Sequence, residues 1–166
     1  EPEKGTVFNI KIPFDMNKKQ LLKEEENEKI ECDSDTIDLN GFNILLAEDN
    51  HVNQMVTVDL LEDKNATVTV ANNGKEAIEK LLESYFDIIL MYMQMPVMDG
   101  YRAMSYIRNK IDSNKKDIPI LALTAHVTDG EVEKWKSAGA SAYLSKPFSP
   151  QALFPKIKDL CEHLIV

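Results

Sequence analysis

A parallel β-sheet covered on both faces by helices is the fold class that this sequence predicts, and three observations predict it. Short apolar runs alternate with longer stretches of helical spacing five times between Asn43 and Leu164. The runs are continuously apolar, as in N-I-L-L-A at Asn43–Ala47 and I-I-L-M at Ile88–Met91, which suits strands buried on both faces. The residues just beyond the runs carry the chemistry: Glu48-Asp49, Tyr92, Thr124 and Lys146. Open parallel sheets gather their sites at that carboxyl edge.

Taken in order, Val7–Ile12 alternates apolar and polar residues and reads as a strand ended by Pro13. A strand so isolated needs a sheet from elsewhere. Residues 15–38 hold four lysines against nine acids, a net −5, and read as a solvated linker with helical tendency near Lys18–Lys29. An acidic docking tail is the functional alternative for that stretch. Asn43–Ala47 reads as the first strand. Val52–Asp63 reads as a helix, with Val52, Met55, Val56 and Leu60 near helical spacing. Thr67–Ala71 is β-branched and alternating, a second strand, and Asn72-Asn73-Gly74 turns the chain. Lys75–Ser84 places Ala77, Ile78, Leu81 and Leu82 inward on a second helix. The strand beginning at Ile88 then feeds a loop with Pro96 and Asp99-Gly100. Tyr101–Ile111 puts Met104, Ile107 and Ile111 on one helical face. Ile118–Leu123 reads as a strand that tolerates Pro119 near its start. Asp129–Ser137 is a helix closed by Gly139, Ala142–Leu144 a very short strand, and Ser149–Leu164 a last helix.

Composition bounds the function. The chain has 166 residues, 43% hydrophobic and 28% charged, enough for one domain with an appendage. Its net charge of −9 argues against a nucleic-acid surface or an anionic membrane. No apolar run reaches the roughly 20 residues of a membrane span. The chain opens E-P-E-K-G, without the features of a signal peptide and without an initiator Met, so a fragment of a longer protein is expected. Cys32 and Cys161 make no disulfide framework and no metal-ligand spacing, which fits a reducing compartment.

Adjacent acids after a buried strand suit Mg²⁺, which takes oxygen ligands. A lysine and a threonine at the same edge suit a phosphoryl group, by charge and by hydrogen bonding. The plainer reading of Glu48 and Asp49 is that they cap the next helix. His126 beside Thr124 reads as a loop residue, His51 as an exposed first-turn residue, and His163 has no evident role. Met91, Met93, Met95 and Met98 read as packing, and Trp135 as the packed face of the fourth helix.

The motifs L-L-A-E-D-N, M-Q-M-P-V-M-D-G, A-L-T-A and A-Y-L-S-K-P-F, in that order, make residues 41–166 resemble a receiver domain of the response-regulator family of two-component phosphorelays. The resemblance implies a three-layer, doubly wound (βα)5 flavodoxin-like fold with a parallel five-stranded sheet in order 2-1-3-4-5. It implies that Glu48, Asp49 and the backbone carbonyl of Gln94 bind Mg²⁺. It implies that Thr124 hydrogen-bonds the phosphoryl group, that Tyr143 switches rotamer with it, and that Lys146 pairs with its oxygens. The peptide bond before Pro147 is often cis in such proteins. Residues 1–14, with K-G-T-V-F-N-I-K-I-P-F, are similar to the closing strand of a histidine-kinase ATP-binding domain. The layout implied is 1–14 a kinase remnant, 15–40 an acidic linker and 41–166 the receiver of a hybrid sensor histidine kinase. Partners implied are a histidine kinase or histidine-phosphotransfer domain and a homodimer partner on the fourth-to-fifth-helix face, with no nucleic acid and no membrane contact by this segment. A cytoplasmic location is implied, any membrane anchor belonging to the parent kinase. The segment is not expected to be catalytic by itself.

One residue departs from the pattern. The family's phosphoacceptor is an aspartate at the end of the third strand, and Tyr92 stands there. The frame does not shift, because Pro96 and Gly100 keep their offsets. A carboxylate attacks phosphorus to give an acyl phosphate. A phenol of pKa about 10 is neutral at pH 7 and would give a stable aryl ester. The expectation is therefore a receiver that cannot form an aspartyl phosphate and holds Mg²⁺ weakly or not at all. The alternative is a phosphorylation-independent pseudo-receiver that serves as an interaction module. Two enzyme classes on related folds fit poorly: a flavodoxin needs an anion-cradling loop after its first strand, and a haloacid-dehalogenase-type phosphatase needs an Asp nucleophile two residues before a second Asp there.

Overall fold

The computed structural model of the chain describes residues 37–111, 114–125 and 129–162. The expected strand at residues 7–12, the linker helix at 18–29, His126 and His163 lie outside them. Five strands and five helices alternate: β1 Asn43–Ala47, α1 His51–Glu62, β2 Thr67–Ala71, α2 Gly74–Glu83, β3 Ile88–Tyr92, α3 Gly100–Lys110, β4 Ile120–Thr124, α4 Asp129–Ala138, β5 Ala142–Ser145 and α5 Pro150–Glu162. A short 3₁₀ turn, Asn114–Asp117, precedes β4. All strands are parallel and run in the order β2-β1-β3-β4-β5. This is the doubly wound order expected from the motifs.

Side-chain alternation on each strand feeds two cores. Leu45, Ile89, Met91, Ile120 and Ala122 pack with Ala77, Leu81, Met104, Ile107 and Trp135 of α2, α3 and α4. Ile44, Leu46, Ile88, Leu90, Leu121 and Leu123 pack with Leu61 of α1 and Leu153, Phe154 and Ile157 of α5. That division is why the strands need apolar residues at consecutive positions. Packing extends N-terminal of β1: Ile37 and Leu39 are buried in the second core, and the Leu39 N–H donates to Lys64 O at 2.7 Å.

Helix starts follow their caps. Asn50 Oδ1 accepts from Val52 N–H and Asn53 N–H, Asn73 Oδ1 from Lys75 and Glu76 N–H, and Asp99 Oδ1 from Arg102 N–H. Asn50 therefore caps α1, which corrects the plainer reading of Glu48 and Asp49 as its cap. Gly139, at φ +100°, ends α4 in the left-handed region that glycine tolerates. Gly100 sits where a Cβ would stand 2.7 Å from the carbonyl oxygen of Tyr92, so α3 starts hard against the end of β3.

Three details differ from expectation. Val52, Met55 and Val56 are 67%, 54% and 55% exposed, and α1 instead buries Gln54, Thr57 and Leu61. Leu82 is turned outward on α2. β4 starts after Pro119 because proline has no N–H to give the ladder, although its carbonyl accepts from Ile89 N–H at 2.9 Å.

Candidate functional site

Parallel strands end together, so the topology alone brings four residue groups to one edge. Glu48 and Asp49 leave β1, Tyr92 ends β3, Thr124 ends β4 and Lys146 follows β5. The ladder pairs Ala47 with Met91, Tyr92 with Leu123, and Thr124 with Ser145. β3 is central, between β1 and β4, so Tyr92 is the middle of the edge.

Glu48 is buried at 1% exposure, unusual for a carboxylate, and its partners account for it. Oε1 accepts from Asn50 N–H and from Asn53 Nδ2, both at 3.2 Å. Oε2 forms an ion pair with Lys146 Nζ. The same ammonium lies 4.0 Å from the centroid of the Tyr92 ring, within cation–π range. Lys146 thus rests between a buried carboxylate and an aromatic face. Its backbone N–H donates to Thr124 O at 2.6 Å, holding the β5 end to the β4 end. The peptide bond from Lys146 to Pro147 is cis, as the motif implies.

The Tyr92 ring is half-buried and packs against both cores. Burial raises its phenol pKa above 10, and the charges of Glu48 and Asp49 push the same way, so the group is neutral at physiological pH. Asp49 and Gln94 are exposed, and Thr124 is buried. Tyr143 is not at the cluster's centre: its ring packs on Trp135 of α4, centroids 5.4 Å apart and planes tilted by 47°. The structure therefore joins Glu48, Tyr92 and Lys146 directly, brings Thr124 beside them through the Lys146 backbone, and sets Tyr143 against α4.

Sequence reasoning missed the layer behind the acids. Gln54 Nε2 donates to Glu48 O at 2.6 Å and to Asn72 Oδ1 at 3.0 Å. Asn72 in turn donates through its N–H and Nδ2 to Glu76 Oε2, at 2.9 and 2.8 Å. Glu76 pairs with Lys80 at 2.9 Å. The β1–α1 loop is thereby tied to the β2–α2 loop. The signal was present in the spacing of Gln54, Thr57 and Leu61, one helical face with two polar members.

Comparison with known proteins agrees with this geometry. The family described as response regulator receiver domain matches residues 44–158. Hybrid signal transduction histidine kinase I of Dictyostelium discoideum is 37% identical over 128 residues, 73% of this chain and 7% of that protein. The autoinducer 2 sensor kinase/phosphatase LuxQ of Vibrio vulnificus is 32% identical over 160 residues, 96% of this chain and 18% of that protein. The chain thus spans less than a fifth of the length of these curated relatives. Among solved structures, the receiver domain of sensor histidine kinase PA1611 from Pseudomonas aeruginosa is 37% identical with a TM-score of 0.68, covering 74% of this chain and 98% of that one. That structure holds a magnesium ion coordinated in its active-site cleft. The chemotaxis protein CheY4 of Vibrio cholerae is 29% identical with a TM-score of 0.67, covering 72% of this chain and 98% of that one. With the β2-β1-β3-β4-β5 sheet and the acid–lysine edge already in place, these matches mean that the chain belongs to the response regulator receiver domain family and is a receiver domain of two-component phosphorelay signalling.

Proposed function

We propose that this chain is the receiver of a hybrid histidine kinase whose phosphorylation site is closed by Tyr92, so that it signals through docking and not through an aspartyl phosphate. The observation that carries this reading is the seating of Lys146 against Glu48 and over the Tyr92 ring. The cation that would meet a phosphoryl oxygen is already engaged. The position that would attack phosphorus bears a neutral phenol on a ring packed into both cores.

The donor set does not suit a resident Mg²⁺. That ion wants several hard oxygen ligands in near-octahedral array. Glu48 spends both oxygens on Asn50, Asn53 and Lys146, which leaves exposed Asp49 and the Gln94 carbonyl as the remaining oxygens among those implied. In this reading the ammonium of Lys146 supplies the positive charge that balances Glu48.

The half-buried ring under Lys146 also supports a fixed switch, with Thr124 and Tyr143 held in one arrangement. Docking is supported by α1, where Val52, Met55 and Val56 form an exposed apolar strip at i, i+3 and i+4, beside the site. A helix of a histidine kinase or histidine-phosphotransfer domain fits such a strip. A homodimer across the α4–α5 face and a cytoplasmic location are the further elements of the proposal. Among the described residues no helix is long and apolar enough to cross a membrane.

The direct test is incubation of the chain with a small-molecule phosphodonor and Mg²⁺, followed by intact mass. The unmodified mass is expected. A phosphoryl adduct that hydroxylamine removes would identify an acyl phosphate and overturn the proposal.

A further inference from the structure

The second feature of this surface lies away from the α1 strip, between α3 and α4. A groove of about 880 Å³ opens there, with Tyr101 and Tyr106 on one side and Glu131 and Lys134 on the other. Arg102 and Lys110 also line it. The lining charges are three cations, Arg102, Lys110 and Lys134, against one acid, Glu131, in a chain of net charge −9, although Arg102 also pairs with Asp99 at 3.8 Å. A local reversal of sign next to two tyrosines is what recognition of an acidic, partly apolar segment requires.

The groove is held open from within. Arg108 Nε donates to Gly139 O at 2.9 Å and Nη1 donates to Lys116 O at 2.5 Å, pinning α3 to the end of α4 and to the turn before β4. A preformed cleft loses less on binding than one that must be ordered. Its wall is also connected to the site edge. Tyr101 packs against the core cluster that contains Trp135, and the Trp135 ring lies 5.4 Å from the Tyr143 ring. Anything that seats on Tyr101 therefore bears on the core that Trp135 and Tyr143 share.

The geometry points to the α3–α4 groove as a docking site for an acidic amphipathic helix of a protein partner, read out through Tyr101, Trp135 and Tyr143. The occupant's carboxylates meet Arg102, Lys110 and Lys134, and its apolar face meets Tyr101 and Tyr106. This input needs no phosphoryl group, and it stands whether or not Tyr92 blocks phosphorylation.

Trp135, the sole tryptophan of the chain, is buried in the core against which Tyr101 packs and so reports on the wall of the groove. The test titrates the chain with a synthetic peptide of about 14 residues, long enough for a helix, with Leu and Phe on one face and Glu elsewhere. Two controls carry Lys for every Glu, or Ser for every Leu and Phe. The expected result is a saturable change in Trp135 fluorescence and backbone amide shifts centred on Tyr101 and Tyr106. The double variant Lys110→Glu/Lys134→Glu, folded by circular dichroism, is expected to weaken binding by about tenfold or more. Tyr106→Ala is expected to weaken it without altering the fold. Three results overturn the proposal: no saturable response, shifts confined to α1, or equal binding by the Lys control. Undiminished binding by the Ser control would assign plain polyanion attraction and overturn it as well.

Discussion

Lys146 decides the state of the site because it has two partners at once. Glu48 is too buried to be solvated, so its charge depends on that ammonium and on two N–H donors. Lys146→Met keeps the length of the side chain and removes the charge. It should cost about 2–4 kcal/mol in urea unfolding, since a buried carboxylate then lacks its counter-ion. A loss below about 0.5 kcal/mol would mark the pair as no better than a surface ion pair. A second residue is strained for a different reason. Val97 in the β3–α3 loop has φ +67° and is 78% exposed, a left-handed conformation that a β-branched residue adopts at a cost. Val97→Asn should raise stability by about 1 kcal/mol with the site untouched, measured by the same urea titration. No gain would mean that the strain is relieved elsewhere. Neither feature was legible in the sequence. The M-P-V-M-D-G motif gives the loop but not its dihedral angles, and K-P-F gives the lysine but not what it leans on.

At the scale of elements, the inner strands were readable because burial on both faces leaves them no polar option, and the edge strand β2 because its residues are β-branched and alternate. Asn43–Ala47 and Thr67–Ala71 fall where the apolar and β-branched runs put them. The helices were readable as helices, and α2 and α3 largely in orientation, since Ala77, Ile78, Leu81, Met104 and Ile107 are buried; α1 was not. In α1 the apolar residues at helical spacing face out, because Gln54 is drawn inward by the Glu48 and Asn72 oxygens. In α5, Pro155 lies within the helix, where its missing N–H would argue for a break; packing of Leu153, Phe154 and Ile157 into the second core carries the helix past it. α2 gives a pH-dependent term. The Glu76 carboxyl is held at about 2, from an ordinary 4.5, by its hydrogen bond to Lys80 and then by the Asn72 N–H. A depressed folded-state value means that this contribution is complete above pH 4.5 and is lost as pH falls toward 2. The pair is partly exposed, so the contribution is of the order of 1 kcal/mol. Glu76→Gln should lower stability at neutral pH by about that amount and flatten the acid limb of the stability profile. An unchanged acid limb would place the proton uptake on another carboxylate.

For the whole molecule, the receiver scaffold forms with Tyr92 at the centre of its sheet edge. Sheet order and the cis bond before Pro147 match what the motifs imply, so the fold does not depend on an aspartate at position 92. What the sequence could not show was how the edge groups are arranged around a phenol. Lys146 lies over the ring and pairs with Glu48. Tyr92→Asp tests the proposal that the phenol closes the site. Without Mg²⁺ the variant should be less stable than the parent by about 1–3 kcal/mol, because it loses ring packing and the cation–π contact and gathers a third carboxylate near Glu48 and Asp49. Added Mg²⁺ should then raise its Tm in a concentration-dependent way, as a ligand of the folded state does, while the parent's Tm stays flat. The variant should also gain a hydroxylamine-labile adduct from a small phosphodonor. A parent whose Tm climbs with Mg²⁺ as steeply as the variant's would show that Tyr92 leaves the metal site open. A variant that stays flat would show that the Glu48–Lys146 pair, and not the phenol, is the barrier.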